Sequence, residues 1–327
     1  MKFRTEIPSE ASAFQIDHKT PILMMGSCFT DNIGEKLKEQ LFPIKINPFG
    51  VVYNPFSVFQ GLEIIMHNKK FSEEDLFEHD GLWHSWHHHS AFSAPDKSEV
   101  LKKINAEIEE SYRLLKTAKY LILTFGTAWA YHLKSTQSIV GNCHKVPSHK
   151  FERKLAEVSE IVNEFQSIRE QLNKFNPEIR TILTVSPVRH WKDGAHGNQV
   201  SKSILHLSIH RILQNIEKSV EYFPSYEIMM DDLRDYRFFS DDLLHPNNQA
   251  IEYIYEKFEG FYFDKKTISL NTKIDKLLKA SKHKLFDKES EKSKAFIEKQ
   301  IANIQALKND FPFLNTESLL SGIPDRK

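Results

Sequence analysis

The chain has 327 residues, 40% of them hydrophobic, with 44 Lys plus Arg against 44 Asp plus Glu. That length buries a full core and leaves room for an appendage, while the balanced charge excludes a general affinity for nucleic acid or an anionic membrane surface. Two cysteines, Cys28 and Cys143, make no disulfide framework, and the uncharged apolar stretch Tyr120 to Tyr131 is too short to span a bilayer. The N-terminal residues lack the apolar run of a secretory signal, so a soluble cytoplasmic protein is expected.

Short apolar segments then alternate with amphipathic ones of helical length. Pro21 to Met25 predicts a buried strand ending at Gly26, and Thr30 to Leu41, with Ile33, Leu37 and Leu41 four apart, predicts a helix. Pro43 to Asn47 alternates as a second strand, broken by Pro48-Phe49-Gly50, and a helix runs from Asn54-Pro55 to Met66. After an irregular, His-rich stretch come a helix from Lys97 to Lys116 and the strand Tyr120 to Phe125, ending at Gly126. A helix from about Glu152 to Asn173 precedes a strand from Arg180 to Val185. Lys202 to Tyr222 reads as helix, Tyr226 to Met230 as a fifth strand, and Asn247 to Phe258 as the helix that closes the pattern. From Asp264 to Asp310 there is no Gly or Pro, and Ile274, Leu277, Leu278, Ile297, Ile301 and Ile304 recur at helical spacing.

Five strands alternating with helices predict an α/β fold, a three-layer arrangement with a five-stranded parallel sheet between helices. The expected organisation is an enzyme-like domain over 1–263 and a helical extension over 264–327. The extension either packs back on its own domain or forms a homodimer contact. In such sheets ligands bind beyond the carboxyl ends of the strands, where Gly26-Ser27, Phe49-Gly50, Gly126-Thr127 and Ser186-Pro187 fall. The loop after the fifth strand adds Asp242 and His245. A hydroxyl on a strand-to-helix turn, an imidazole and a carboxylate are the parts of a serine acyl-transfer site. The competing role for Ser27, and for Asp241 or Asp242, is helix capping.

Gly26-Ser27-Cys28-Phe29-Thr30, in its strand-turn-helix setting, resembles the signature of GSCFA-domain proteins of the SGNH (GDSL-like) hydrolase superfamily. The resemblance runs from about Pro21 to Gly260 and takes in Asn142 to Pro147, Ser186 to His190 and Pro224 to Pro246. It implies an SGNH (flavodoxin-like) fold, Ser27 as nucleophile, Asp242 and His245 as its partners, and Gly50 as the second-block glycine. It also implies hydrolysis or transfer of acyl groups, often acetyl esters on carbohydrate, with no cofactor. The superfamily's third block carries Gly-x-Asn, but here Gly126-Thr127-Ala128 offers no asparagine. The expected oxyanion donors are then the Ser27 and Gly50 N–H groups and the Thr127 hydroxyl, with Asn142 or a histidine as a further donor.

Trp83 to His89 packs four histidines and two tryptophans into seven residues. Without a separated pair of ligands at standard spacing, a substrate rim is expected before a surface loop, and a metal site last. Trp86, His88, Asn142, His144, Arg189 and His190 are therefore expected to contact substrate. Two function classes fit: a serine esterase or acyltransferase on a small-molecule or carbohydrate ester, and a non-catalytic ligand-binding protein on the same fold.

Overall fold

The computed structural model describes residues 5–215, 218–282 and 290–322. In chain order its strands and helices are β1 (Ile22–Gly26), α1 (Cys28–Glu39), β2 (Ile44–Ile46), α2 (Pro55–Met66), β3 (Phe77–His79), β4 (Leu82–His84) and α3 (Lys97–Leu115). There follow β5 (Tyr120–Phe125), β6 (Trp129–Leu133), β7 (Ile139–Val140), β8 (Phe151–Leu155), α4 (Val158–Phe175), β9 (Arg180–Val185), α5 (Gly194–Asn215) and β10 (Val220–Phe223). The chain continues with α6 (Ser225–Glu227), α7 (Asn248–Tyr262), α8 (Lys265–Ser281), α9 (Glu291–Asp310) and α10 (Glu317–Ser321).

Five strands form one parallel sheet in the order β10-β9-β5-β1-β2. Period-two alternation splits its side chains between two cores. Leu23, Met25, Leu121 and Leu123 join Val58, Val100, Ile161 and Leu205 of α2, α3, α4 and α5 on one face. Ile22, Met24 and Ile122 join Ile33 and Leu37 of α1 and Ile254 and Phe258 of α7 on the other. The three-layer expectation is met, with continuous apolar strands because both faces are covered.

The fifth strand is not where the sequence reading puts it. Val220–Phe223 pairs with Thr181 to Thr184 of β9, whereas Tyr226 to Met230 is helical, running through α6 into a π-turn at Ile228–Asp232. Pro224 has no N–H to extend the ladder, and Ser225 Oγ bonds instead to the Val185 carbonyl at 2.7 Å. The apolar Ile228 and Met229, read as strand, are buried in the α7-side core. The first residues of the helix expected from Glu152 are β8, whose antiparallel pairing with β6 precedes α4.

Two small sheets, β3-β4 and β7-β6-β8, are added beside the main one. The C-terminal helices bury Leu270, Ile274, Ile304, Leu307 and Leu319 together with Leu41, which follows α1. Gln40 reaches Asp275 at 3.3 Å and Lys282 reaches Glu39 at 2.6 Å, so α8 packs back on the α1 side. Residues 283–289 of the expected extension lie outside the described ones. No helix among the described residues is long and apolar enough to cross a membrane.

Candidate active site

β1 ends at Gly26 and α1 begins at Cys28, leaving Ser27 alone on the turn. The turn requires glycine before it: Gly26 has φ +145°, and a Cβ there would lie 2.2 Å from the Thr124 carbonyl oxygen. Asn47, just after β2, clamps the same turn. Its Oδ1 accepts the Gly26 N–H at 2.8 Å, and its Nδ2 donates to Asp31 of α1 at 2.6 Å. Ser27 occupies the N-cap position of α1, yet its side chain makes no capping bond. Its Oγ is buried and has no hydrogen-bond partner among the described residues. The capping role is therefore not the one this hydroxyl performs.

His245 sits in a short closed loop. Phe239 and Pro246 bridge its ends, the Ser240 N–H donates to the His245 carbonyl at 2.8 Å, and Leu243 takes a left-handed φ of +61°. Asp242 accepts the main-chain N–H groups of Leu244 at 2.9 Å and His245 at 3.0 Å, and His245 Nδ1 at 2.5 Å. These donors, the main-chain ones foremost, hold the Asp242 carboxyl down to about 2. With Nδ1 engaged, Nε2 is the nitrogen left free. Both side chains are nearly half exposed, 48% for His245 and 45% for Asp242. The cap of α7 is neither aspartate but Asn247, which accepts the Ala250 N–H at 3.1 Å.

Ser27 and His245 line one cleft of about 420 Å³ at the carboxyl ends of the strands. Thr127, Asn142, Arg189 and His190 line it too, as expected. The Thr127 hydroxyl is tied to Ser201 Oγ at 3.0 Å, and Asn142 Oδ1 accepts the His144 N–H at 2.8 Å. Ser27's own N–H goes to the Thr124 carbonyl at 3.2 Å.

Four expected residues lie away from the cleft. Gly50, at φ +70°, spends its N–H on the Asn47 carbonyl at 2.7 Å and lies against His89. Farther along the same loop, Tyr53 and Asn54 are the residues that reach the cleft. His88 is fully buried, stacked on Phe49 at 4.7 Å and bonded to Ser85 Oγ at 2.9 Å. Burial keeps its pKa well below the ordinary range. Trp86 stacks on Phe77 at 3.6 Å, and His144 donates from Nε2 to the Ser85 carbonyl at 2.9 Å. The His-rich segment is thus largely core for the small β-sheets, its rings packed on aromatic neighbours and bonded in part to nearby hydroxyls and carbonyls, with His88 Nε2 left without a partner among the described residues. Among the described residues no three His, Cys, Asp or Glu side chains are grouped to hold a metal.

The structure adds residues that the sequence reading missed. Lys202 of α5 is fully buried, and its Nζ donates to the carbonyls of Gly126 and Ser186, both at 2.7 Å. It thereby joins the chain ends just beyond β5 and β9, and burial pulls its pKa down to about 7. A signal for it existed: Ser201, Lys202, Leu205, Ser208, Ile209 and Ile212 form the buried stripe of α5, and a lysine inside such a stripe needs a partner. Trp129, Tyr131 and Arg153 reach the cleft from β6 and β8. His190 is placed more closely than its sequence position suggested. A Cβ on Gly126 would lie 3.1 Å from His190 Nε2 and 3.4 Å from Ser27 Cβ, so imidazole and serine flank one point. Burial lowers the His190 pKa to about 4 and keeps the ring neutral. Cys28 and Cys143 also line the cleft, with burial raising both thiols, Cys143 to about 11.

No curated protein matches the chain. Among solved structures it is similar to a platelet activating factor-like protein from Streptococcus pneumonia (12% identity, 77% of this chain and 86% of that one, TM-score 0.38). It is also similar to a carbohydrate esterase family 3 protein from Talaromyces cellulolyticus (8% identity, 77% and 98%, TM-score 0.35). A third is the acetyl xylan esterase Est2A from the rumen bacterium Butyrivibrio proteoclasticus (11% identity, 79% and 67%, TM-score 0.35). The GSCFA family profile matches residues 21–258, from the first strand into α7, and the chain belongs to the GSCFA family.

Proposed function

We propose that the protein is a serine-dependent acyl ester hydrolase acting on acylated carbohydrate, with Ser27 as nucleophile, His245 as general base and Asp242 orienting the imidazole. One observation carries this reading: a buried serine hydroxyl with no partner among the described residues and an aspartate-held imidazole line the same cleft. Oγ attacks the ester carbonyl carbon as its proton passes to His245 Nε2, and the carbonyl π electrons move onto oxygen. Collapse of that adduct expels the alcohol, which takes the proton from His245. Water, deprotonated in turn by His245, then releases the acid from Ser27. Ser27 Oγ makes no hydrogen bond to His245 among the described residues, and on this reading that bond forms in the substrate complex.

The oxyanion needs donors other than Gly50. The start of α1 directs its N–H groups and positive dipole end at the turn that carries Ser27. Neutral His190 fits as a side-chain donor where the family's superfamily would have asparagine, since its Nε2 and Ser27 both lie close beside Gly126. Trp129, Tyr131 and Trp191 supply broad aromatic surface suited to a sugar ring.

A fluorophosphonate probe with intact-mass detection tests the assignment. The expected result is one adduct on Ser27 that is lost in both Ser27→Ala and His245→Ala. An adduct that persists in Ser27→Ala would overturn the nucleophile.

A further inference from the structure

The cleft that holds Ser27 and His245 carries three strong cations on its walls, Arg153, Arg189 and Lys192. Only one has a carboxylate: Arg153 pairs with Asp193, whose side chain is 3% exposed. Arg189 and Lys192 form no ion pair among the described residues. The acidic groups around Arg189 have other basic partners: Asp231 pairs with Arg234 at 2.5 Å, Asp235 lies 3.9 Å from Arg237, and Glu227 lies 3.5 Å from His206 and accepts the Tyr222 hydroxyl at 2.7 Å. Asp242 is committed to His245. The remaining titratable groups described above do not cancel the charge, because the thiols are held protonated and His190 is held neutral. Two uncompensated positive charges therefore face one cleft in a chain whose formal net charge is zero. A generally basic surface does not account for them.

Both cations are attached to aromatic rings. The Arg189 guanidinium lies 4.7 Å from the centre of the Trp191 ring, and Lys192 Nζ donates to the Tyr131 hydroxyl at 2.9 Å. The charge they await thus belongs to the half of the ester that the rings hold, the sugar, and not to the acyl group at Ser27. Arginine presents a fork of N–H groups that matches a planar or tetrahedral oxyacid, and lysine adds a point charge beside it.

We infer that the substrate is an acidic carbohydrate, an acyl ester of a sugar bearing an anionic oxyacid group, with that group held by Arg189 and Lys192. This deepens the ester-hydrolase reading and rests on it for the position of the acyl group. A carboxylate and a phosphate share the required chemistry, and the test distinguishes them.

Calorimetric titration of the Ser27→Ala protein compares three probes: an O-acetylated uronic acid oligomer, the matching O-acetylated neutral hexose oligomer, and an O-acetylated hexose phosphate. At least one acidic probe is expected to bind about tenfold or more tightly than the neutral one. That advantage should shrink between about 0.05 M and about 0.5 M salt, and vanish when Arg189→Gln and Lys192→Gln are added. The better acidic probe names the oxyacid. Equal affinity for acidic and neutral probes overturns the inference, as does no binding of any probe or an acidic preference that survives both substitutions in protein of unchanged melting temperature. Labelling of Ser27 in the wild type separates the two readings. Labelling without acidic preference sinks only the charge assignment, whereas acidic preference without labelling sinks only the hydrolase.

Discussion

On the proposed reading Asp242 orients His245 while nearly half exposed and anchored by the main chain of its own turn. Water around it weakens the charge interaction with an imidazolium. Its hold on the Nδ1–H tautomer is geometric and survives that screening. Asp242→Asn is therefore expected to lower kcat by on the order of 10²-fold, less than a buried triad carboxylate would, with KM and the melting temperature nearly unchanged. A loss of stability comparable to the loss of rate would show instead that Asp242 only holds the loop. His190 permits a complementary prediction, because its pKa of about 4 leaves it a neutral donor across the working range. His190→Ala is expected to lower kcat by roughly 10²-fold, with His190→Gln recovering part of that loss through its amide. Equal rates for the two variants would remove His190 from the oxyanion site. The placement of Ser27 and His245 on one cleft, with Asp242 bonded to His245, was legible in the sequence because each sits at the junction of a strand or loop with a helix, in a short local pattern. Gly50 was expected at the cleft and lies outside its lining because two stretches of one loop compete. The glycine turn folds against His89, and only the later Tyr53-Asn54 returns to the cleft.

At the level of elements, Lys202 shows how α5 contributes beyond packing. Its ammonium binds one carbonyl beyond β5 and one beyond β9, the strands that deliver Thr127 and the Arg189-His190 segment. Lys202→Met removes the donor and leaves two buried carbonyls unpaired, a cost of about 2–4 kcal/mol. Urea unfolding should show that loss as a lower midpoint at unchanged slope, accompanied by reduced kcat. An unchanged midpoint would mean that the carbonyls find other donors. Four strands of the sheet were legible because parallel strands covered on both faces are continuous apolar runs. The fifth was misplaced because Tyr226 to Met230 is equally apolar, and composition alone does not separate a short buried strand from a buried helical turn. What separates them is Pro224 and the pairing of Val220–Phe223 with β9, a tertiary fact. The sheets β3-β4 and β7-β6-β8 were not legible at all. Their strands are two to five residues long, and their histidines and aromatics carry no clear alternation.

Across the whole molecule, buried neutral histidines tie stability to pH in regions far from the cleft as well as in it. His18 stacks on Phe42 at 4.2 Å beneath the C-terminal helices, and His144 lies 4.4 Å from His84 in the small β-region. Burial lowers the pKa of both to about 4, as it does for His190, and drives His88 well below the ordinary value. An unperturbed imidazole titrates near 6.5, so between that pH and about 4 the unfolded chain takes up protons that the native state refuses. The unfolded state then binds more protons, and stability must rise with pH across this window. Read in the other direction, the contribution is complete above pH 6.5 and is lost as the pH falls toward 4. Asp242, depressed to about 2, stays ionised in the native state and adds slope of the same sign only toward the acid end, where the unfolded carboxylate begins to protonate. Asp31, Glu259 and Asp275 oppose the trend lower down, because burial raises their carboxyls and acid favours their native form. The histidine effect is therefore cleanest between about pH 6.5 and about pH 5. Differential scanning calorimetry should show the melting temperature falling through that interval. His18→Phe, which keeps a ring stacked on Phe42, should reduce the slope by close to one proton, and His18→Phe with His144→Phe by close to two. A wild-type melting temperature that stays flat across the interval, or a slope indifferent to both substitutions, would show that these rings are not buried neutral in solution.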